Sequence, residues 1–255
     1  MSDKLSLKLS HDGSHTVISE KFQVTYHSIH GAITESNVVF IDAGLNFLLK
    51  NNYNTIFVFE MGFGAGLNAL LSFIWAEKNQ IKVIYHTVEA YPVNKKMSDQ
   101  LNYCEILGHD EVFHQLHSCD WNTEINITPF FSFYKYHCEL ENLESNHKSD
   151  VIFFDAFSPA SQPHLWDVPI LSKMYGMLNE SGVLVSYCAQ GAFKRHLKAV
   201  GFRVEGIPGP PGKREMTRAV KDYTMSIFVE VSESIKMELV LESIVAGVGD
   251  IIISD

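Results

Sequence analysis

Residues 57–68 read Phe-Val-Phe-Glu-Met-Gly-Phe-Gly-Ala-Gly-Leu-Asn, and no other stretch restricts the chain as much. An apolar strand ends in Glu60, glycines follow at Gly62, Gly64 and Gly66, and a helix-like run opens at Leu67. Glycines packed this tightly between a strand and a helix let the backbone pass close to a ligand. The acid narrows the choice of ligand. Phosphate is anionic, and a phosphate-binding turn avoids a carboxylate. A turn that meets a cationic ligand keeps one. The alternative is a plain strand-to-helix connection.

The pattern around this turn predicts alternating strands and helices. Strands are expected over 55–60, 82–89, 131–139, 150–155 and 182–188, from apolar, β-branched and aromatic runs. Helices are expected over 67–78, 93–107, 166–177 and 192–200. In the first helix, Leu67, Leu70, Leu71, Ile74 and Trp75 recur at helical spacing. Such alternation implies an α/β fold with a doubly wound, mostly parallel sheet. Two late strands, over 202–206 and 223–231, have no long helix between them and imply an antiparallel hairpin at one edge. Segment 208–214, Pro-Gly-Pro-Pro-Gly-Lys-Arg, must be a loop. Upstream, Val17-Ile18, Phe22-Gln23-Val24-Thr25-Tyr26 and Asn37-Val38-Val39-Phe40-Ile41 read as short strands. The expected organisation is a β-rich extension over 1–50, the main domain over 51–232 and a tail over 233–255.

Ligands of open α/β sheets bind outside the carboxyl ends of the strands. Glu60, Glu89, Glu139 and Asp155 all fall at such ends. Glu60 can face a cationic group beside the glycine turn, partly through water. Glu89 lies 23 residues after Gly66 and, as an ionised acceptor, can take two hydrogen bonds from ribose hydroxyls. Glu139, or failing that Asp120, can accept from an adenine amino group. Singly, each acid is explained by capping the next helix. Together they favour an adenosine ligand with a cationic end, and S-adenosylmethionine, with its sulfonium and ammonium groups, fits. A dinucleotide fits less well, because Leu67 stands where that fingerprint wants Gly or Ala, and the pyrophosphate would lie near Glu60.

Net charge is −10, which opposes non-specific coating of nucleic acid. Locally the balance reverses. Between 194 and 221 stand Lys194, Arg195, Lys198, Arg203, Lys213, Arg214, Arg218 and Lys221, against Glu205 and Glu215. Such a patch suits a focused contact with folded RNA, or else is a solvated helix face plus a basic loop. Cys104, Cys119, Cys138 and Cys188 form no C-x-x-C pair, and no expected helix carries an i, i+4 histidine pair beside a carboxylate, so no metal site is expected. Reduced thiols and the absence of an apolar run of about 18–20 residues lead us to expect a cytoplasmic protein without membrane contact.

Several blocks resemble the methyltransferase module of the MnmC family, which acts on the wobble uridine of certain tRNAs. They are Ser19-Glu20-Lys21-Phe22 with Tyr26, the Glu60-to-Asn68 turn, Val88-Glu89-Ala90-Tyr91-Pro92, Asp155-Ala156-Phe157-Ser158-Pro159-Ala160 with Gln162-Pro163 and Leu165-Trp166, Gly191-Ala192-Phe193-Lys194-Arg195, and Lys213-Arg214-Glu215-Met216. They occur in the family's order over about 17–230. The resemblance implies a class I methyltransferase with a Rossmann-like, seven-stranded sheet and an antiparallel edge strand. It implies transfer of a methyl from S-adenosylmethionine to the amine of 5-aminomethyl-(2-thio)uridine in tRNA. The family often carries a fused FAD-dependent oxidase domain. None is expected here, so a separate enzyme or another branch of the pathway would supply the amine. Ala156 stands where many relatives carry Gly.

The residues expected to bind the cofactor are Glu60, Gly62, Phe63, Gly64, Gly66, Asn68, Glu89, Ala90, Glu139 and Asp155. Asp155 is also the expected catalytic residue, orienting the acceptor amine and taking its proton directly or through water. Phe157 and Pro159 are expected to shape the uracil slot. Trp166 would either stack there or lie in the core. Lys213 and Arg214 are expected to contact tRNA. Two other functions fit the same residues: a class I methyltransferase with a small-molecule or protein acceptor, and a non-catalytic RNA-binding module.

Overall fold

The computed structural model describes residues 4–51 and 53–222. The expected strand over 223–231 and the tail over 233–255 lie outside the described residues.

Three strands, β1 (Leu5–Leu9), β2 (His15–Ser19) and β3 (Val24–Thr25), form a small antiparallel sheet. A single 20-residue helix follows, α1 (Ala32–Asn51), whose middle, Asn37–Leu45, winds as a π-helix. The strand expected over 37–41 is therefore wrong. Four β-branched and aromatic residues in a row read locally as extended. The burial pattern has another period: Ala32, Glu35, Ser36, Val39, Phe40 and Ala43 are buried, at the i, i+3, i+4 spacing of a helix. Asp12, in the β1–β2 turn, starts the helix by accepting the Thr34 N–H at 2.9 Å. Gly44 then lets α1 lie close on the sheet, since a Cβ there would come within 3.0 Å of Phe153 and 3.2 Å of Val151. By length and mean hydropathy (1.2) α1 could cross a bilayer, but 56% of its most apolar 18-residue window is buried inside the protein.

The main sheet contains β4 (Thr55–Met61), β5 (Lys82–Glu89), β6 (Ile125–Thr128), β7 (Phe131–His137), β8 (Ser149–Phe154), β9 (Leu178–Ser186), β10 (Arg203–Pro208) and β11 (Glu215–Val220). Their order is β10-β11-β9-β8-β4-β5-β7-β6. The inner run from β9 to β7 is parallel, and β10–β11, β11–β9 and β6–β7 are antiparallel. Among the described residues the sheet has eight strands, two of which, β6 and β11, were not expected; Ile125–Thr128, too short to stand out, folds back on β7. The edge hairpin is present, but the partner of β10 is β11, directly after the 208–214 loop.

Helix α2 (Leu67–Asn79) matches its expectation. The helix expected over 93–107 is two short ones, α3 (Lys95–Ser98) and α4 (Tyr103–Leu107). At the break Asn102 ties the chain to the β1–β2 hairpin: its side chain accepts the His15 N–H at 2.7 Å and donates to the Gly13 carbonyl at 2.8 Å. Helix α5 (Asp110–Ser118) was not expected, and α6 (Val168–Met177) and α7 (Gly191–Ala199) fall close to their predicted ranges.

Alternation along the strands divides the core in two. Val151 and Phe153 face α1 and α2, whereas Ile152 and Phe154 face α6 and α7. Each fully buried Val or Phe contributes about 1.5–3 kcal/mol of transfer free energy. Trp166 belongs to the second core, 3% exposed between Phe154 and Phe193, so of its two expected roles the structure takes the packing one. Strand order reverses between β4 and β8, and ligands of such sheets bind at that point.

Candidate active site

The glycine turn and the end of β8 meet at this reversal. Met61 pairs with Phe154, which sets Gly62 beside Asp155. A Cβ on Gly62 would lie 3.4 Å from the Asp155 carbonyl oxygen. Gly62, Gly64 and Gly66 have φ of 94°, 51° and 74°, in the left-handed region that glycine tolerates best. The Gly62 N–H donates to the Val88 carbonyl at 3.0 Å, tying the turn to the end of β5. Above it lies a cavity of about 320 Å³, within the range of about 300–1,000 Å³ usual for small-molecule sites. Its wall brings together Gly62, Phe63, Gly64, Asn68, Glu89, Ala90, Glu139, Asp155 and Phe157.

Two expected cofactor residues are not in the wall. Gly66 lies below it, packed against Phe63 and His117. Glu60 is 1% exposed and sits beneath the cavity floor. Burial raises its carboxyl to about 8, offset in part by the neighbouring Thr87, Asn68 and Tyr85. One of its oxygens, Oε2, has no hydrogen-bond partner.

Glu89 is positioned by the backbone. Its oxygens accept the Gly64 N–H at 3.0 Å and the Tyr91 N–H at 2.7 Å. Each oxygen retains a further lone pair. Of the alternatives Glu139 and Asp120, only Glu139 borders the cavity, just past the end of β7. Asp155 accepts from Asn68 Nδ2 at 2.9 Å. Burial lifts its carboxyl well above the ordinary aspartate value, the charges of Glu35 and Glu60 lift it further, and Asn68 and Lys213 oppose the rise.

A second cavity, about 390 Å³, adjoins the first and shares Tyr26, His27, Ala156 and Phe157 with it. The Tyr26 and Phe157 rings meet edge-on at 5.1 Å, forming the common wall. Glu35, Ser28, Tyr187 and Lys213 line its far side. The loop carrying Phe157 is fixed from within: its N–H donates to Gln162 Oε1 at 3.1 Å and its carbonyl accepts Trp166 Nε1 at 2.8 Å. Pro159 lines neither cavity.

The basic stretch is largely neutralised. Lys194 pairs with Glu215, Arg203 with Glu205 and Asp222, Arg218 with Glu205, Lys221 with Glu180, and Lys213 with Glu35. Arg195, Lys198 and Arg214 are exposed and make no ion pair among the described residues. The open cationic surface is therefore much smaller than the sequence count implied, because acids from other elements come to lie beside the bases.

A family model described as S-adenosyl-L-methionine-dependent methyltransferase matches residues 92–222, just over half of the chain. The chain belongs to this methyltransferase family. It is similar to the "tRNA 5-methylaminomethyl-2-thiouridine biosynthesis bifunctional protein MnmC" of Campylobacter hominis, with 29% identity over 222 residues, 81% of this chain and 32% of that protein. The protein of the same name from Leptospira interrogans is 27% identical over 216 residues, 79% of this chain and 33% of the relative. The chain thus spans about a third of the length of these curated relatives. The crystal structure of MNMC2 from Aquifex aeolicus matches with a TM-score of 0.68 and 24% identity, covering 86% of this chain and 70% of that one, which shows the fold.

The cavity of this methyltransferase fits the family's cofactor. It offers a glycine cradle at its floor, a backbone-fixed carboxylate with spare acceptor capacity at Glu89, and a buried acid below. Gly66 holds the cradle in place. A Cβ there would lie 2.8 Å from His117 Nε2 and 3.0 Å from Phe63 Cζ. Gly66→Ala is expected to lower unfolding free energy by roughly 2–4 kcal/mol through left-handed strain and overpacking and to weaken cofactor binding. Urea unfolding and calorimetric titration check this; an unchanged midpoint with normal affinity would show the turn to be more tolerant than its geometry implies.

Sequence reasoning assigned no role to several wall residues. Lys21, Phe22, Tyr26 and Tyr91 form an aromatic rim, with Lys21 Nζ 4.0 Å from the Tyr91 ring centroid. Two of these blocks were visible as family resemblance, but nothing in one dimension says that they reach the end of β4. Glu35 was missed because its helix was read as a strand. The helical period of buried positions across 32–43 was the signal that could have found it.

Proposed function

We propose that this chain methylates the primary amine of 5-aminomethyl-(2-thio)uridine at the tRNA wobble position. The observation that carries the reading is a desolvated carboxyl, Asp155, in the wall of a cofactor-sized cavity, next in the chain to Ala156 and Phe157, which that cavity shares with a second, aromatic-walled one. The printed name of the MnmC relatives supports the substrate class.

Bound S-adenosylmethionine supplies an electrophilic methyl on a sulfonium. Glu89 would hold the ribose hydroxyls, Glu139 the adenine amino group, and the Gly62–Gly64 backbone with Asn68 the amino-acid end. Glu60, protonated near neutral pH in the cofactor-free fold, would be drawn toward its charged form below that cationic end. An alkylamine has a solution pKa near 10 and arrives mostly protonated. A carboxylate in water is too weak a base to take that proton. Burial strengthens Asp155 as a base, and Asn68 fixes its orientation. Phe157 and Tyr26 offer ring faces to the pyrimidine. The aminomethyl group would come from a separate enzyme, and the four free thiols fit a cytoplasmic setting.

Mass spectrometry of wobble nucleosides from cells with and without this chain tests the reading. Loss of the methylaminomethyl product is expected without it, and an unchanged profile would end the proposal. The open cations should carry part of the tRNA affinity. Arg214→Ala is expected to weaken binding evenly across tRNA sequences and to reduce the salt slope by about one. Filter binding between about 50 and 200 mM salt measures this, and a wild-type slope would remove Arg214 from the interface.

A further inference from the structure

Lys213 sits on the 208–214 loop, yet its ammonium is turned inward. Nζ lies 2.7 Å from Glu35 Oε1 and 3.9 Å from the Tyr187 ring centroid. The Glu35 side chain is only 8% exposed, and its second oxygen accepts the Ser28 N–H at 2.7 Å. The loop is packed down at this point, since a Cβ on Gly212 would run into the His30 ring. Among the described residues lining the second cavity, Lys213 is the one lysine or arginine. To reach an RNA phosphate it would have to abandon a buried carboxylate, which is strongly opposed.

We propose that Lys213 is a positioning residue of the methyl-transfer site: paired with Glu35, it sets the net charge that Asp155 and the incoming amine meet. The inference rests on the amine-acceptor reading above. The charged and titratable groups lining the second cavity are Glu35 from α1, His27 after β3, Tyr187 after β9 and Lys213, while Asp155 after β8 lines the adjoining first cavity and Glu60 from β4 is buried beneath it. Three carboxyl groups and one ammonium thus stand around the two adjoining cavities. Ionisation of Asp155 is opposed by Glu35 and Glu60 and favoured by Lys213. Without Lys213, the site would hold its acceptor more firmly as an ammonium, which has no lone pair for the methyl. With Lys213 present, the pair with Glu35 cancels, and the remaining charge suffices to attract the amine without locking on its proton. The second cavity of this chain is thereby suited to an amine that must be deprotonated in place.

The test compares wild type, Lys213→Met, Lys213→Arg and Glu35→Gln in single-turnover methyl transfer to tRNA bearing the aminomethyl group, at saturating S-adenosylmethionine, over pH 6–10. Lys213→Met should move the acid limb of the rate profile up by about one pH unit or more. Glu35→Gln should move it down, and Lys213→Arg should stay near wild type. The opposed signs hold whether Asp155 or the amine titrates, and a loss of folding would not produce them. The salt slope of tRNA binding should be unchanged in Lys213→Met. Shifts of the same sign, no shifts, or a slope reduced by about one would overturn the inference. Carbon-13 titration of the Asp155 carboxyl reads the same opposed shifts without tRNA. Those shifts in a protein that methylates no such tRNA would keep the charge-setting role and refute the substrate reading instead.

Discussion

Asp155→Ala is expected to lower the rate of methyl transfer by about 10²–10⁴-fold, the usual contribution of a positioned proton acceptor, while leaving cofactor affinity within a few-fold of wild type. The expectation follows from placement. Asp155 closes the central strand, lies beside Gly62 and is held by Asn68 at 2.9 Å. Its carboxyl rises well above the ordinary value mainly through burial, so it is a stronger base than an exposed aspartate. Asp155→Asn preserves shape and polarity but cannot take a proton, so it should be nearly as slow as the alanine variant. Single-turnover transfer from labelled S-adenosylmethionine, paired with calorimetric titration of the cofactor, separates chemistry from binding. Turnover at the wild-type rate in either variant would remove Asp155 from the reaction.

The second large effect concerns stability and pH. Glu60 is raised to about 8 in the fold from about 4.5 in the unfolded chain. The folded state therefore binds the proton more tightly, and stability falls as pH rises between the two values. Burial of His27, His86 and His117 lowers each to about 4 from 6.5, which has the opposite slope below pH 6.5. The two sets oppose each other up to about pH 6.5, and the acids act alone above it. From pH 6.5 to 8, Glu60 by itself should remove on the order of 2 kcal/mol. Glu60→Gln keeps the volume and abolishes the charge, so its stability should be higher at pH 8 and decline less. Urea unfolding of the cofactor-free protein across this window measures both. A wild-type curve that is flat from 6.5 to 8, or a glutamine variant with the same decline, would contradict the burial argument. A cationic cofactor favours ionised Glu60, so the stabilisation that it confers should grow with pH over the same range.

Much of the site was legible because it is local. Glu60, the three glycines and Asn68 lie within nine residues, and Glu89 ends a strand whose bounds the apolar run defines. Asp155 could be named because strand ends in an open α/β sheet converge on one edge. What failed had a different physical basis. Asn37 to Ile41 were read as a strand from their own preference, and packing on the sheet made them helix. Glu35 thus went unseen. The basic stretch looked like an open surface because its acidic partners Glu35, Glu180 and Asp222 lie outside the densest part of it.

The amino-acid order alone determined a parallel α/β core, a glycine turn for an adenosine cofactor with a cationic end, and an acid on the strand beside it. These depend on period, spacing and backbone freedom, all of which are properties of short segments. Tertiary structure decided which acids border the cavity, that Glu60 lies under it, and that Lys213 faces inward to Glu35. Those outcomes depend on burial and on charges brought together across as many as 178 residues of chain, as in the Lys213–Glu35 pair, and the dielectric cost of burying charge is set only once the chain has folded.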